Sequence, residues 1–274
     1  MRIRQSIRVS YIITSALIAR HAHAEQVPAY VSAAVASPSR PDIDRQRDAD
    51  RKPADVIAFS GLKPGDKVAD FMPGRGYFTR IFCPLVGDAG HVYAISVPRN
   101  PPPMPSVVDA PPTGCTNVTA ITLQQRKQPA PELWSSSDDP GAVYEYWSFS
   151  PPAETFATPE PLDVIWTSEN YHDLHNKAFG SPNLQLVNRA FLNALKPGGV
   201  LIIEDHAAAA GSGARDTQTL HRIDAELVKR EVTTAGFQYV GASEVLRHSN
   251  DPHTVKAHEM HDQTDRFVLK FRKP

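Results

Sequence analysis

Between Lys63 and Phe82 a turn, a short apolar strand, a glycine-bearing turn and the start of a helix follow one another without a gap. Lys63-Pro64-Gly65-Asp66 feeds a strand at Val68-Ala69-Asp70-Phe71, with Asp70 near its carboxyl end. Met72-Pro73-Gly74-Arg75-Gly76-Tyr77 follows, and Gly74 and Gly76 let the backbone bend sharply and approach a ligand closely. Phe78-Thr79-Arg80-Ile81-Phe82 then opens a helix whose free N–H groups point at that turn. In an open α/β sheet this is where small molecules collect.

The rest of the chain carries the same alternation. His91 to Ile95 reads as a second strand, Asn117 to Leu123 as a third and Leu162 to Thr167 as a fourth. A helix begins at Ser181-Pro182, with Leu184, Val187, Phe191 and Leu195 on its core face, and Lys196-Pro197-Gly198-Gly199 ends it. Val200 to Asp205 reads as a buried strand. Asp216 caps a helix expected over Thr217 to Ala235, and Phe237–Val240 and Arg266–Phe271 close the chain as an antiparallel hairpin.

The acidic residue and glycine turn resemble the first motif of the class I S-adenosylmethionine-dependent methyltransferases, with Met72 where that family has its first glycine. The Leu195-Lys196-Pro197-Gly198-Gly199-Val200-Leu201 passage is similar to the link between the family's fourth and fifth strands. The resemblance spans residues 57 to 272. His206, Leu220-His221-Arg222-Ile223-Asp224 and Thr264-Asp265-Arg266-Phe267 resemble an exported bacterial group of methyltransferases within it. It implies an α/β, Rossmann-like seven-stranded sheet, mostly parallel with an antiparallel C-terminal hairpin, flanked by helices. It further implies S-adenosylmethionine as cofactor, held by Asp70, Pro73, Gly74, Gly76, Tyr77, Ser96 and Asn170. The family's ribose-binding acid at the end of the second strand is missing. Ser96 or Asn100 stands near that position and offers neutral hydrogen bonds instead.

The methyl acceptor is expected to be a small molecule. Polar clusters at Asn170-Tyr171-His172-Asp173 and Glu204-Asp205-His206 fall at strand ends. Thr217, His221, Asp224 and Val228 share one side of the expected helix, where His221 and Asp224 can pair. A histidine titrating near neutrality suits proton removal from an oxygen or nitrogen acceptor. His172 leads as the base, then His206, then His221, with Asp173 or Asp224 orienting the ring. His172, Asp173, Asp205, His206 and His221 also have donor atoms a metal accepts. None of their spacings is a zinc signature such as His-Glu-x-x-His, and no bound metal is expected. Loss of the ribose-binding acid keeps a second reading open, a periplasmic binding or scaffold protein that retains the fold without catalysis.

Arg2, Arg4 and Arg8, the apolar run Tyr11–Ala19 and Ala22-His23-Ala24 read as a signal peptide over residues 1–24, so a periplasmic or secreted protein is expected. Its removal leaves 25 basic against 30 acidic side chains and no basic block, which disfavours a nucleic-acid partner. The apolar run is too short to span a bilayer, and no other long one exists. Residues 25–52 read as a mobile leader followed by a charged segment, either a brace over the first strand or a solvated face. Residues 53–274 form the expected domain. Several of the 25 prolines cluster in a long insertion at 97–161, read either as a cap over a substrate pocket or as a surface loop. Cys83 and Cys115 could pair or remain separate thiols.

Overall fold

The computed structural model describes residues 26–97, 112, 114–129, 145–150, 158–177 and 182–274. Seven strands form one sheet: β1 (Lys67–Phe71), β2 (His91–Ser96), β3 (Val118–Thr122), β6 (Leu162–Ser168), β7 (Leu195–His206), β8 (Gln238–Ser243) and β9 (Arg266–Arg272). Their order is β3-β2-β1-β6-β7-β9-β8. The first five run parallel, and β9 pairs antiparallel with both β7 and β8. The chain reverses its direction of strand addition between β1 and β6, and a crevice opens there beyond the strand ends. Inside the 97–161 insertion, β4 (Gln124–Pro129) and β5 (Glu145–Ser150) pair as a separate antiparallel ribbon.

Both faces of the sheet are covered, so its strands are apolar on both sides. Ala69, Phe71, Tyr93 and Ile95 face a core shared with Phe191 and Leu201, whereas Val68, Val92, Ala94 and Trp166 face one built on Phe78, Ile81 and Phe82. Four short N-terminal helices precede β1: α1 (Ala29–Val35), α2 (Asp42–Arg45), α3 (Asp48–Arg51) and α4 (Pro53–Ser60). Helix α5 (Thr79–Val86) follows the glycine turn and α6 (Leu184–Ala194) precedes β7. Two helices, α7 (Thr217–Leu220) and α8 (Ala225–Thr234), precede β8. Among the described residues no helix is long and apolar enough to cross a membrane.

Several expectations are corrected. Residues 29–35 are a helix rather than a mobile leader, with Val31 and Ala34 buried in the core that contains Ile81 and Phe82. The charged segment is no solvated face: Arg40, Asp44 and Arg51 are buried in ion pairs with Asp48, Arg80 and Glu169. Helix α6 is capped by Asn183, whose Oδ1 accepts from Gln185 N and Leu186 N; Ser181 lies outside the described residues. The Pro-Gly-Gly passage is part of β7, an irregularity opposite Leu162 and Val164 with Gly198 at φ +78°.

The expected helix over 217–235 is broken. His221 takes a left-handed backbone at φ +54°. Ile223 then pairs with the end of β7 instead, its N donating to His206 O at 3.0 Å. Fully buried Arg222 fixes this path through Asp251, Ala207 O and Val255 O. Asp224, not Asp216, caps a helix by side chain, accepting from Glu226 N. Cys83 on α5 and Cys115 before β3 are joined as a disulfide with Cα atoms 6.0 Å apart.

Candidate active site at the sheet's switch point

Two adjoining cavities lie past the carboxyl ends of β1, β6 and β7. The first has a volume of about 420 Å³ and is walled by the glycine turn, the β6 end and the N-terminal brace. Asp70, Pro73, Gly74, Tyr77 and Asn170 all line it. Gly74 sits at φ +55°, and a Cβ placed there would meet nothing within 4 Å. Met72 adopts φ +57° without being glycine. It is held by its N–H on Ile95 O at 2.7 Å and by Asn170 Nδ2 on its carbonyl at 2.8 Å. Met72 and Pro73 thus wall the crevice without filling it.

Asp70 is buried, and burial pushes its carboxyl up to about 6 against the opposing hydrogen bonds of Thr79 and the charge of Arg51. Tyr77 gives its hydroxyl to Asp48 at 2.5 Å, while the guanidinium carbons of Arg40, Arg47 and Arg51 stand 5.2, 5.7 and 4.6 Å from its ring centroid. Its ring is therefore clamped between turn and brace. Two expected cofactor residues are placed otherwise. Gly76 is buried behind the turn, donating to Pro73 O at 2.8 Å. Ser96 ends β2 outside the lining, and Asn100 lies outside the described residues.

The second cavity, about 430 Å³, brings together His172, Asp173, His206 and His221 with His261 and with His258, whose ring meets that of His221 edge-on at 5.7 Å. Tyr171 anchors this end of the site, its hydroxyl donating to Glu231 at 3.0 Å and accepting from Asn188 at 2.8 Å. That anchor turns His172 inward, where Asp205 takes its backbone N–H at 2.7 Å and its Nδ1 at 2.7 Å. Asp205, rather than Asp173 or Asp224, orients the ring; Asp224 caps α8 and binds Gly211 N at 3.0 Å. With Nδ1 committed, Nε2 of His172 stands 3.3 Å from Nδ1 of His221 and 3.4 Å from Oδ1 of Asp173. Burial is the largest influence on His172 and works against its cation, but the charge and hydrogen bond of Asp205 together with the charges of Asp173 and Glu169 outweigh it, raising its pKa. His206 goes the other way: burial depresses it to about 4, so it is neutral near pH 7. Its Nδ1 meets Thr264 Oγ1 at 2.8 Å.

Arg47 and Glu169 line both cavities. Beneath them runs a buried ionic chain. Arg51 donates to Glu169 at 2.9 Å and to Ser168 at 2.8 Å, Ser168 donates to Glu204 at 2.7 Å, and Arg266 donates to Glu169 and Glu204 at 2.7 and 3.2 Å. Although burial opposes ionisation, these cations hold Glu169 well below the usual carboxylate range, whereas burial dominates at Glu204 and raises it. Four of the six described non-glycine residues with left-handed backbones, Met72, Glu169, His221 and His261, line these two cavities. Each such residue costs roughly 1 kcal/mol, and such costs gather where a site dictates the backbone. Arg51, Glu169, His258 and His261 were not singled out from the sequence. The signal available for the last two was the density of histidine between His253 and His261.

No family model matches the chain, and no curated protein does. Solved structures match its fold. A SAM-dependent methyltransferase from Aquifex aeolicus superposes with a TM-score of 0.53 at 17% identity, covering 85% of this chain and 96% of that one. The N-methyltransferase NodS from Bradyrhizobium japonicum WM9 gives 0.50 at 15% identity, covering 84% and 96%. The [4+2]-cyclase SpnF gives 0.51 at 18% identity, covering 84% and 82%. The fold of this chain is that of the class I methyltransferases, a seven-stranded mixed sheet with an antiparallel C-terminal hairpin.

Proposed function

We propose that the chain is an S-adenosylmethionine-dependent methyltransferase acting on a small-molecule acceptor. The observation that carries this reading is the pair of adjoining cavities: one at the glycine turn, sized for a nucleoside-type ligand, the other lined with imidazoles. Asp70, Gly74, Tyr77 and Asn170 would hold the cofactor, with the missing side chain at Gly74 allowing a close approach. When bound, S-adenosylmethionine supplies an electrophilic methyl group. The second cavity orients the acceptor next to it, and the Arg47–Glu169 boundary fixes where the two ligands meet. Proton removal from the acceptor falls to the neutral imidazole of His206 and to His172, steadied by Asp205.

Export to an oxidising compartment is part of the proposal. The signal-like start and the Cys83–Cys115 disulfide support it, and mass spectrometry of the periplasmic fraction tests it by whether the chain begins at Glu25. A non-catalytic binding protein is the second reading, favoured by Ser96 in place of a ribose-binding acid.

Calorimetric titration of the purified protein with S-adenosylmethionine and S-adenosylhomocysteine tests the first reading, with Gly74→Val alongside. Valine at φ +55° is strained, at a position that lines the crevice. Micromolar binding lost in the variant is expected. A folded protein that binds neither compound at millimolar concentration overturns the proposal.

A further inference from the structure

We infer that the second cavity holds a divalent transition-metal ion of the zinc class, ligated by Nε2 of His172, Oδ1 of Asp173 and Nδ1 of His221. The three atoms come from two separate segments, the turn after β6 and the left-handed corner after α7, yet they converge. Their mutual separations are 3.3, 3.4 and 3.7 Å. Ligands about 2.05 Å from a zinc ion at the corners of a tetrahedron stand about 3.3 Å apart. The observed triangle is therefore close to one face of such a tetrahedron, and its fourth corner is left for a ligand from the cavity.

The surroundings suit a metal ligand set. His172 is fixed through Nδ1 by the fully buried carboxylate of Asp205, the arrangement that sets the tautomer of a metal-binding histidine and aims its other nitrogen at the ion. Asp173 is steadied by Asn176 Nδ2 at 2.8 Å. The backbone at His221 takes a left-handed conformation, φ +54°. Two imidazoles and one carboxylate form a donor set that zinc and its neighbours accept. The expectation of no metal rested on local spacing, and His221 is 49 residues from His172, beyond the reach of any such motif.

This inference deepens the methyltransferase reading and rests on it for the role of the ion. An acceptor carrying a hydroxyl or thiol would occupy the fourth position. Its X–H bond would be weakened there, the proton passing to His206 on the same wall and the electron pair staying on the heteroatom. His172 would then serve as ligand and His206 as proton acceptor. The substrate class narrows accordingly to small molecules with an ionisable oxygen or sulfur.

The test uses untagged protein stripped with chelator, then titrated with Zn²⁺ by calorimetry and with Co²⁺ by visible absorption. One equivalent is expected, with the intense d–d bands of a four-coordinate cobalt site. His221→Ala, at a half-exposed corner, is expected to keep its circular dichroism and lose at least 100-fold in affinity. Asp205→Asn is expected to weaken binding about 10- to 100-fold. No binding of either ion to folded protein overturns the inference, and so does binding undiminished in folded His221→Ala. S-adenosylmethionine titration of the same samples separates the two claims. Metal bound without cofactor leaves the site standing and removes its proposed role. Cofactor bound without metal removes the site alone.

Discussion

Asp70→Asn tests how the crevice handles charge. Burial lifts the Asp70 carboxyl from an ordinary 3.8 to about 6, although Thr79 donates to it at 2.5 Å and Arg51 and Arg80 lie near enough to oppose the shift. The native chain therefore binds this proton more tightly than the unfolded chain does. Its contribution to stability is fully present below about pH 4, is lost as pH rises through about 6, and is constant above that. A shift of two pH units corresponds to about 3 kcal/mol. Asparagine keeps an acceptor for Thr79 and does not titrate. The stability of the variant relative to wild type should therefore rise between pH 4 and 7 by up to about 3 kcal/mol, nowhere faster than about 1.4 kcal/mol per unit. Urea denaturation at intervals of half a pH unit measures it. A cationic sulfonium beside Asp70 favours the ionised form, so wild-type affinity for S-adenosylmethionine should climb with pH up to about 6, by at most tenfold per unit. S-adenosylhomocysteine, whose sulfur is neutral, should show a shallower climb, and the variant none from this group. A stability difference that stays flat from pH 4 to 7 refutes the reasoning.

Other expectations follow from single contacts. The Cys83–Cys115 bridge closes a loop of 32 residues, so reduction, or Cys83→Ala with Cys115→Ala, should cost about 3–4 kcal/mol by loop entropy; differential scanning calorimetry should show Tm falling by roughly 10 °C. Arg222→Met strands the fully buried Asp251 carboxylate, and a loss of about 3–5 kcal/mol in urea denaturation is expected. Asn183→Ala removes the α6 cap and should cost about 1 kcal/mol. An unchanged denaturation midpoint would show that Pro182 and packing set that helix start.

The sheet was legible because its signals are local. Val68 to Phe71, His91 to Ile95 and Leu162 to Thr167 are apolar on both faces. Gly61 and Gly74 mark turns, and Gly198 the irregularity in β7, where positive φ favours glycine. The brace was legible only as one of two readings, because a run such as Asp42 to Lys52 has one appearance whether it faces water or other charges. Its partners Asp262, Glu169, Arg80 and Tyr77 lie 29 to 215 residues away. The broken helix at 217–235 failed for a related reason. Leu220, Ile223 and Leu227 recur at helical spacing, but Arg222 is fully buried against Asp251, and that long-range pair overrides local periodicity at His221.

The same long-range pairing bears on how the site is held. Arg51 from the brace, Glu169 from the β6 end, Glu204 from β7 and Arg266 from β9 meet in one buried cluster beneath both cavities. Such a cluster contributes little net stability against a well-packed apolar alternative, because desolvation offsets most of the attraction. Its geometric requirement is strict, however. Glu169 takes two cations from elements 215 residues apart, Arg51 and Arg266. Removing either one leaves a buried carboxylate undercompensated at the shared wall of the two cavities. The N-terminal brace is thereby tied to the wall that both ligands would touch. A fold that the [4+2]-cyclase SpnF also adopts does not by itself specify methyl transfer. Two features of this chain meet at Glu169: the arginine brace on one side and the histidine cavity on the other.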